Sequence, residues 1–250
     1  MTLSKDILNF LDNVAPISTK CEWDNCGLLV GDKDTEISKV LLCLDITNKV
    51  VDEAKKLGCE LIISHHPVIF SGLKSIDSNS VVYNLIKNDI SAICMHTNLD
   101  IAHNIGVNVC LANALGLSDI TMYQEDFICI GKLSDTMTDK AFAEHVKESL
   151  KAQGVRYTNG KNIKRVAMCS GAGSEYIEMI EKYDFDAFVT GELKHHHFLF
   201  AKEKNICAVE AGHYNTEDVV ITPLKELLSQ NFSDVKFMKS EALCDPVNFA

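Results

Sequence analysis

Residues 39–67 read KVLLCLDITNKVVDEAKKLGCELIISHHP. The run 39–46 is short and apolar, which suits a buried strand. Residues 48–57 then place Val50, Val51, Ala54 and Leu57 at helical spacing, and Gly58 stops the helix. Residues 60–64 read as a second strand, running into His65-His66-Pro67. A strand, a helix and a strand joined by short turns make the repeating unit of a parallel sheet covered by helices.

The same plan extends in both directions. Ile7, Leu8, Leu11 and Val14 follow Ser4 at helical spacing, so 4–14 is a capped helix, and Pro16 ends it. Residues 80–87 form a helix and 90–95 a strand, followed by His96-Thr-Asn-Leu-Asp100. A helix over 107–115 is closed by Gly116. The last third repeats the pattern: strand 166–169, helix 174–181, strand 187–189, helix 196–204 and strand 206–209. The third of these elements ends in Thr190-Gly-Glu192-Leu-Lys-His195-His196-His197, and the last ends in Ala211-Gly-His213-Tyr-Asn-Thr-Glu217. A final helix spans 216–229, with Pro223 limiting its start.

Asp45 lies 20 positions before His65, and Gly171 lies 20 positions before Gly191. This parallel predicts an α/β fold built from two duplicated strand-helix units, about 1–119 and 164–250, forming mainly parallel sheet covered by helices. Residues 120–163 read as a small α+β insert with strand 127–133, helix 139–150 and strand 154–158. Without a Pro/Gly/Ser-rich linker, the 250 residues are expected to form one compact unit.

Composition narrows the function. The chain carries 35 acidic and 24 basic residues, a formal charge of −11. That balance argues against nucleic acid or an anionic membrane as partner. Arg156 and Arg165 are the two arginines, so a fork-like clamp on phosphates has little to draw on. Ten cysteines, from Cys21 to Cys244, are spread along the chain without CxxC spacing. They read as small buried hydrophobes of a reducing compartment. Residues 1–20 lack a signal-peptide pattern, and no run approaches the roughly 20 apolar residues of a spanning helix. A soluble, cytoplasmic protein is expected.

Open α/β sheets bind ligands at the carboxyl ends of their strands. Those ends hold His65-His66, His96 to Asp100, and His213 to Glu217, with the TGELKHHH stretch beside them. Imidazole and carboxylate donors without thiolate suit Zn, Fe or Mn. Adjacent residues of a strand face opposite ways. His65 and His66 therefore share an ion only if the backbone turns at Pro67, or else serve different ions. His213 and Glu217 stand one helical turn apart and can face one point. A glutamate can bridge two metals, Asp100 would add charge, and a dinuclear site would hold and acidify a shared water. Against this, a His-His pair at a strand end and a His-x3-Glu pair on a helix are each common without metal. His96 reads either as a group orienting a ligand or as hydrogen-bonded packing. His103 and His145 read as surface residues, and His195, His196 and His197 either border the site or begin a helix.

Five segments together resemble one family. Trp23-Asp-Asn-Cys-Gly-Leu-Leu-Val-Gly31, Ser64-His-His-Pro67, His96-Thr-Asn-Leu-Asp100, Thr190-Gly-Glu192 and Gly212-His-Tyr-Asn-Thr-Glu217 are similar to motifs of the Nif-three-like dinuclear metal-centre family, also described as type 2 homologues of GTP cyclohydrolase 1. The resemblance covers nearly the whole chain. It implies His65, His66, Asp100, His213 and Glu217 as metal ligands for two divalent ions, with Glu217 shared. It also implies a toroidal homohexamer. The chain departs from some relatives in its short 120–163 segment, and in His197-Phe198 where relatives often have Asp-Ala.

The expected function is a metal-dependent hydrolase acting on a small molecule, with GTP ring opening as the activity the resemblance implies. Glu192 is the candidate proton shuttle, weighed against a solvated carboxylate. There is no GxxxxGK[ST] loop, so metals and lysines such as Lys194 would have to bind a triphosphate. The competing expectation is a non-catalytic metal-binding or metal-handling adaptor.

Overall fold

The computed structural model describes residues 1–242 and 245–250. It is a mixed α/β fold that divides into two compact units. Unit 1 comprises residues 1–99 and 221–244; unit 2 comprises 100–220 and 245–250. The 100–220 segment of unit 2 is thus inserted into the chain of unit 1.

Unit 1 holds a five-stranded sheet. Its order is Lys236–Lys239, Lys39–Cys43, Leu61–Ser64, Ser91–Cys94 and Gly27–Val30. The first four run parallel, and Gly27–Val30 closes the edge antiparallel to Ser91–Cys94. Leu61–Ser64 and Ser91–Cys94 are buried at every position, as expected for strands covered on both faces. Val50, Val51 and Ala54 of the Asn48–Leu57 helix pack on Leu41 and Ile62. That helix is framed as its sequence demands. Thr47 Oγ1 accepts from Val50 N at 3.3 Å, and Gly58 takes the left-handed conformation at φ 69°. The Ser4–Val14 helix is capped differently from the expectation. Ser4 is its first helical residue, and Asp6 closes the turn by accepting from Leu3 N at 2.8 Å.

Unit 2 holds a six-stranded sheet in the order Ser118–Tyr123, Ile128–Met137, Ile163–Cys169, Ala187–Thr190, Cys207–Glu210 and Arg156–Tyr157. Ile163–Cys169, Ala187–Thr190 and Cys207–Glu210 are parallel, and the other three strands join antiparallel. The pleat divides the core. Val166, Met168, Val189 and Val209 face one layer with Phe142, while Ala167, Phe188 and Ala208 face the other.

Two helices differ from the sequence reading. The 174–181 segment is a 3-10 turn, Ser174–Met179, followed by the short helix Ile180–Tyr183. The expected 216–229 helix is broken into His213–Glu217, a 3-10 turn at Asp218–Val220, and Ile221–Asn231. Pro223 sits in the first turn of the last piece, where its missing N–H costs no helical bond. The break falls where the chain passes from unit 2 to unit 1.

Seven of the nine described cysteines are buried. Burial pushes the thiols of Cys110, Cys129 and Cys207 up to about 12, so these side chains behave as small hydrophobes. Cys244 lies outside the described residues. Among the described residues, no helix is long and apolar enough to cross a membrane.

Candidate metal-binding residues

In unit 1 the parallel ladder continues past the strand ends. His65 N donates to Cys43 O, His66 N to Leu44 O and Met95 N to Ser64 O. These bonds place Asp45, His65, His66 and His96 side by side. The backbone bends at His65 and His66, so the alternation of a strand no longer separates them. Their ring centroids are 5.0 Å apart, and the His96 ring lies 5.2 Å from His65 and 5.5 Å from His66. One donor nitrogen from each ring lies within 4.8 Å of the others, a grouping able to hold a metal ion.

Each ring is oriented through Nδ1. His65 Nδ1 lies 2.9 Å from Met95 O, a carbonyl that can only accept. His66 Nδ1 lies 2.7 Å from Asp45 Oδ1, and His96 Nδ1 lies 2.8 Å from Asp24 Oδ1. A proton on Nδ1 serves all three contacts, and in a neutral ring this leaves the lone pair on Nε2.

Asp24 is buried, with 5% exposure. Its Oδ2 accepts from Thr97 N at 3.1 Å, from Thr97 Oγ1 at 2.5 Å and from Cys26 Sγ at 3.1 Å. Burial pushes its carboxyl up, but hydrogen bonds from His96 and Thr97 outweigh it and hold the group well below the usual carboxylate range. A depressed carboxyl stabilises the fold above its unfolded pKa, and that stabilisation is lost as pH falls through the folded value. Asp24→Asn is therefore expected to destabilise the metal-free protein by about 1.5–3 kcal/mol at pH 7. The gap to wild type should narrow below about pH 4, where an unfolded aspartate begins to bind protons. Urea unfolding at several pH values measures this, and a gap that widens on acidification contradicts it.

In unit 2, Asp100 ends the Thr97–Asp100 turn and Glu217 ends the His213–Glu217 helix. An oxygen of Asp100 lies within 4.8 Å of one of Glu217. His213 lies between two carboxylates: Nδ1 is 2.7 Å from Glu192 Oε1, and Nε2 is 3.0 Å from Glu217 Oε2. Cys169 stands close to this group. Burial first, then the negative charges of Asp100 and Glu217, push its thiol well above the usual range.

Two glycines make room for these side chains. Gly171 follows the Ile163–Cys169 strand with φ +57°, and a Cβ there would lie 1.9 Å from Glu217 Oε1 and 3.2 Å from His213 Nε2. A Cβ on Gly191 would lie 2.6 Å from Gly171 O and 2.8 Å from His213 Cα. Thr216 ties the loops by accepting from Gly171 N at 3.1 Å.

The remaining candidates fall elsewhere. His195, His196 and His197 begin the His195–Lys204 helix, where buried His197 accepts from Lys194 N at 3.3 Å. Burial, with His196 and Lys194 adding to it, lowers the His197 pKa and keeps the ring neutral for that role. His103 is exposed, whereas His145 is half-buried and bonds Leu115 O at 2.9 Å. Glu192 and Lys194 line a cleft of about 370 Å³ together with Arg156, Glu175 and Glu210. Arg156 is engaged there by the Glu210 carboxylate through Nε and Nη2. Asp24 and Asp45 were not among the expected site residues. Asp45 was visible as a strand-end acid, but Asp24 stands 72 residues from the ring it orients.

These features define an α/β protein with imidazole donors in one unit and imidazole and carboxylate donors in the other, a donor chemistry suited to divalent metal. The chain belongs to the Duf34/NIF3 (NGG1p interacting factor 3) family, whose model matches residues 2–246. This is the family that the five sequence motifs resemble. It is 33% identical over 258 residues to a Clostridium perfringens (strain 13 / Type A) protein named "GTP cyclohydrolase 1 type 2 homolog", an alignment covering 98% of each chain. A Campylobacter jejuni protein of the same name is 35% identical over 218 residues, covering 85% of this chain and 86% of the other. A crystal structure of a Staphylococcus aureus protein matches with TM-score 0.92 and 31% identity, covering 100% of this chain and 99% of that one.

Proposed function

We propose that the protein is a metal-dependent hydrolase whose ligands are His65, His66, Asp100, His213 and Glu217, holding two divalent ions with Glu217 shared. The observation that carries the reading is the tethering of each of these histidines through Nδ1. Met95 O, Asp45 and Glu192 are the acceptors. Oxygen acceptors behind the imidazoles are what metal-ligating histidines require, because they fix the tautomer and raise the basicity of the donor nitrogen.

Bound divalent ions would supply Lewis acidity, acidifying water and polarising the substrate's electrophilic atom. The chain's own residues do the rest. Glu192 holds His213 in place, Gly171 leaves space for the Glu217 carboxylate, and the cleft beside Glu192 admits a small molecule. Zn, Fe and Mn all suit these donors. The name of the relatives suggests GTP as a substrate, and a homohexamer is part of the same reading.

The test is a steady-state assay of the metal-loaded protein against GTP and a panel of nucleotides, phosphoesters and amides. Turnover that needs metal and is lost in His66→Ala and Glu217→Gln is expected. Two ions bound with no turnover across the panel would replace the hydrolase by a metal-handling role. Only trace divalent metal after chelator-free purification and reconstitution would remove both.

A further inference from the structure

His96 is absent from the five-ligand set, yet it is built like a member of it. Its ring stands with His65 and His66, its Nδ1 is held by the buried Asp24 carboxylate, and all the groups involved belong to unit 1. We propose that His65, His66 and His96 form a three-imidazole site that takes up one divalent transition ion without any group from unit 2. The inference rests on the proposed function to the extent that His65 and His66 are ligands there.

The ring geometry matches such a site. With metal–nitrogen bonds of about 2.0–2.1 Å and tetrahedral angles, the centroids of three imidazoles on one ion lie about 5 Å apart. The observed separations are 5.0, 5.2 and 5.5 Å, with ring planes inclined by 46°, 73° and 81°. Parallel stacking would bring planes together; these rings are instead inclined to one another, with one nitrogen of each within 4.8 Å of the others. Their orientation comes from three separate acceptors on three different segments: Met95 O, Asp45 and Asp24. The lone pairs are therefore set by the fold, and an arriving ion meets donors already in the required tautomer. Three neutral imidazoles leave a fourth tetrahedral position open, as in catalytic zinc sites. One ion held in this way would be the first to load, with the carboxylates of unit 2 needed for the second.

The structure supplies its own reporter. Trp23 is the single tryptophan, and its ring lies edge-on to His96 with centroids 6.1 Å apart. A paramagnetic ion bound by His96 quenches it.

The experiment titrates Co2+ into the full chain carrying Asp100→Asn, His213→Ala and Glu217→Gln together, reading visible absorption, stoichiometry and Trp23 fluorescence. Circular dichroism confirms the fold. One Co2+ per chain is expected, with affinity within about tenfold of the wild type's first ion and Trp23 quenched. Adding His96→Gln should weaken it by about 10-fold or more. Should the triple variant not fold, the first equivalent of Co2+ added to wild type must quench Trp23, and His96→Gln must remove that quenching. If the folded triple variant binds nothing while wild type binds two ions, the three-imidazole site is overturned and the five-ligand reading stands. A one-ion complex indifferent to His96→Gln overturns it as well. If wild type binds a single ion indifferent to Glu217→Gln but lost in His96→Gln, the five-ligand reading falls and the three-imidazole site stands.

Discussion

Glu217→Gln is expected to lower the affinity for the second divalent ion by more than about 100-fold, beyond the 10–100-fold typical of a group that merely orients a ligand. Three features make the effect large. The carboxylate is buried, with 5% exposure, so its charge is little screened by water. It lies within 4.8 Å of an Asp100 oxygen and 3.0 Å from His213 Nε2, so it belongs to a group of donors. As the shared ligand of the proposed pair, it offers both oxygens, and an amide replaces one of them with a donor that repels a cation. Competition with a chromophoric chelator measures the loss. Affinity for the second ion within tenfold of wild type would remove Glu217 from the ligand set. Gly171→Ala is the companion variant, because its new Cβ meets the tip of the Glu217 side chain. It should weaken metal binding through displacement of that carboxylate.

Gly191→Ala should act on the fold itself. A Cβ at this position meets Gly171 O at 2.6 Å, His213 Cα at 2.8 Å and Thr216 Oγ1 at 2.9 Å. The first two are main-chain atoms and cannot rotate aside. The loop after Ala187–Thr190 must then separate from the loop after Ile163–Cys169 and from the His213–Glu217 helix. Overpacking that backbone shifts must relieve costs about 1–3 kcal/mol, and the rigid partners place this case near about 3 kcal/mol. Urea unfolding should show a lower midpoint with an unchanged slope. A loss below about 0.5 kcal/mol would mean that the loops separate easily.

Much of this fold was legible because the main strands are apolar blocks ended by glycine and histidine. Leu61–Ser64, with His65 and His66 at its end, is the clearest case. The Lys236–Lys239 strand was not legible. It reads KFMK, and an edge strand with one paired neighbour needs no continuous apolar run. Gly27–Val30 was visible as a family motif and not as a strand, since four residues ending at the bend of Gly31 carry too little periodicity. The metal-capable residues stood out by residue type at strand ends. Their supports did not. Met95 O is a backbone group that no side-chain motif reveals. Gly171 and Gly191 were noticed as a matched pair, but the atoms they make room for lie on a segment more than twenty residues away. Side-chain identity is local information, whereas who orients whom is decided by tertiary contact.

The insertion of unit 2 within unit 1 also orders events on the ribosome. Residues 100–220 are complete before the Lys236–Lys239 strand is made. Until that strand arrives, Lys39–Cys43 presents an unpaired edge of the sequence KVLLC. Bare apolar edges invite pairing with other chains. The nascent protein therefore carries this aggregation hazard until residues 236–239 have been made. A chain stalled or cut short near residue 230 would keep that edge exposed.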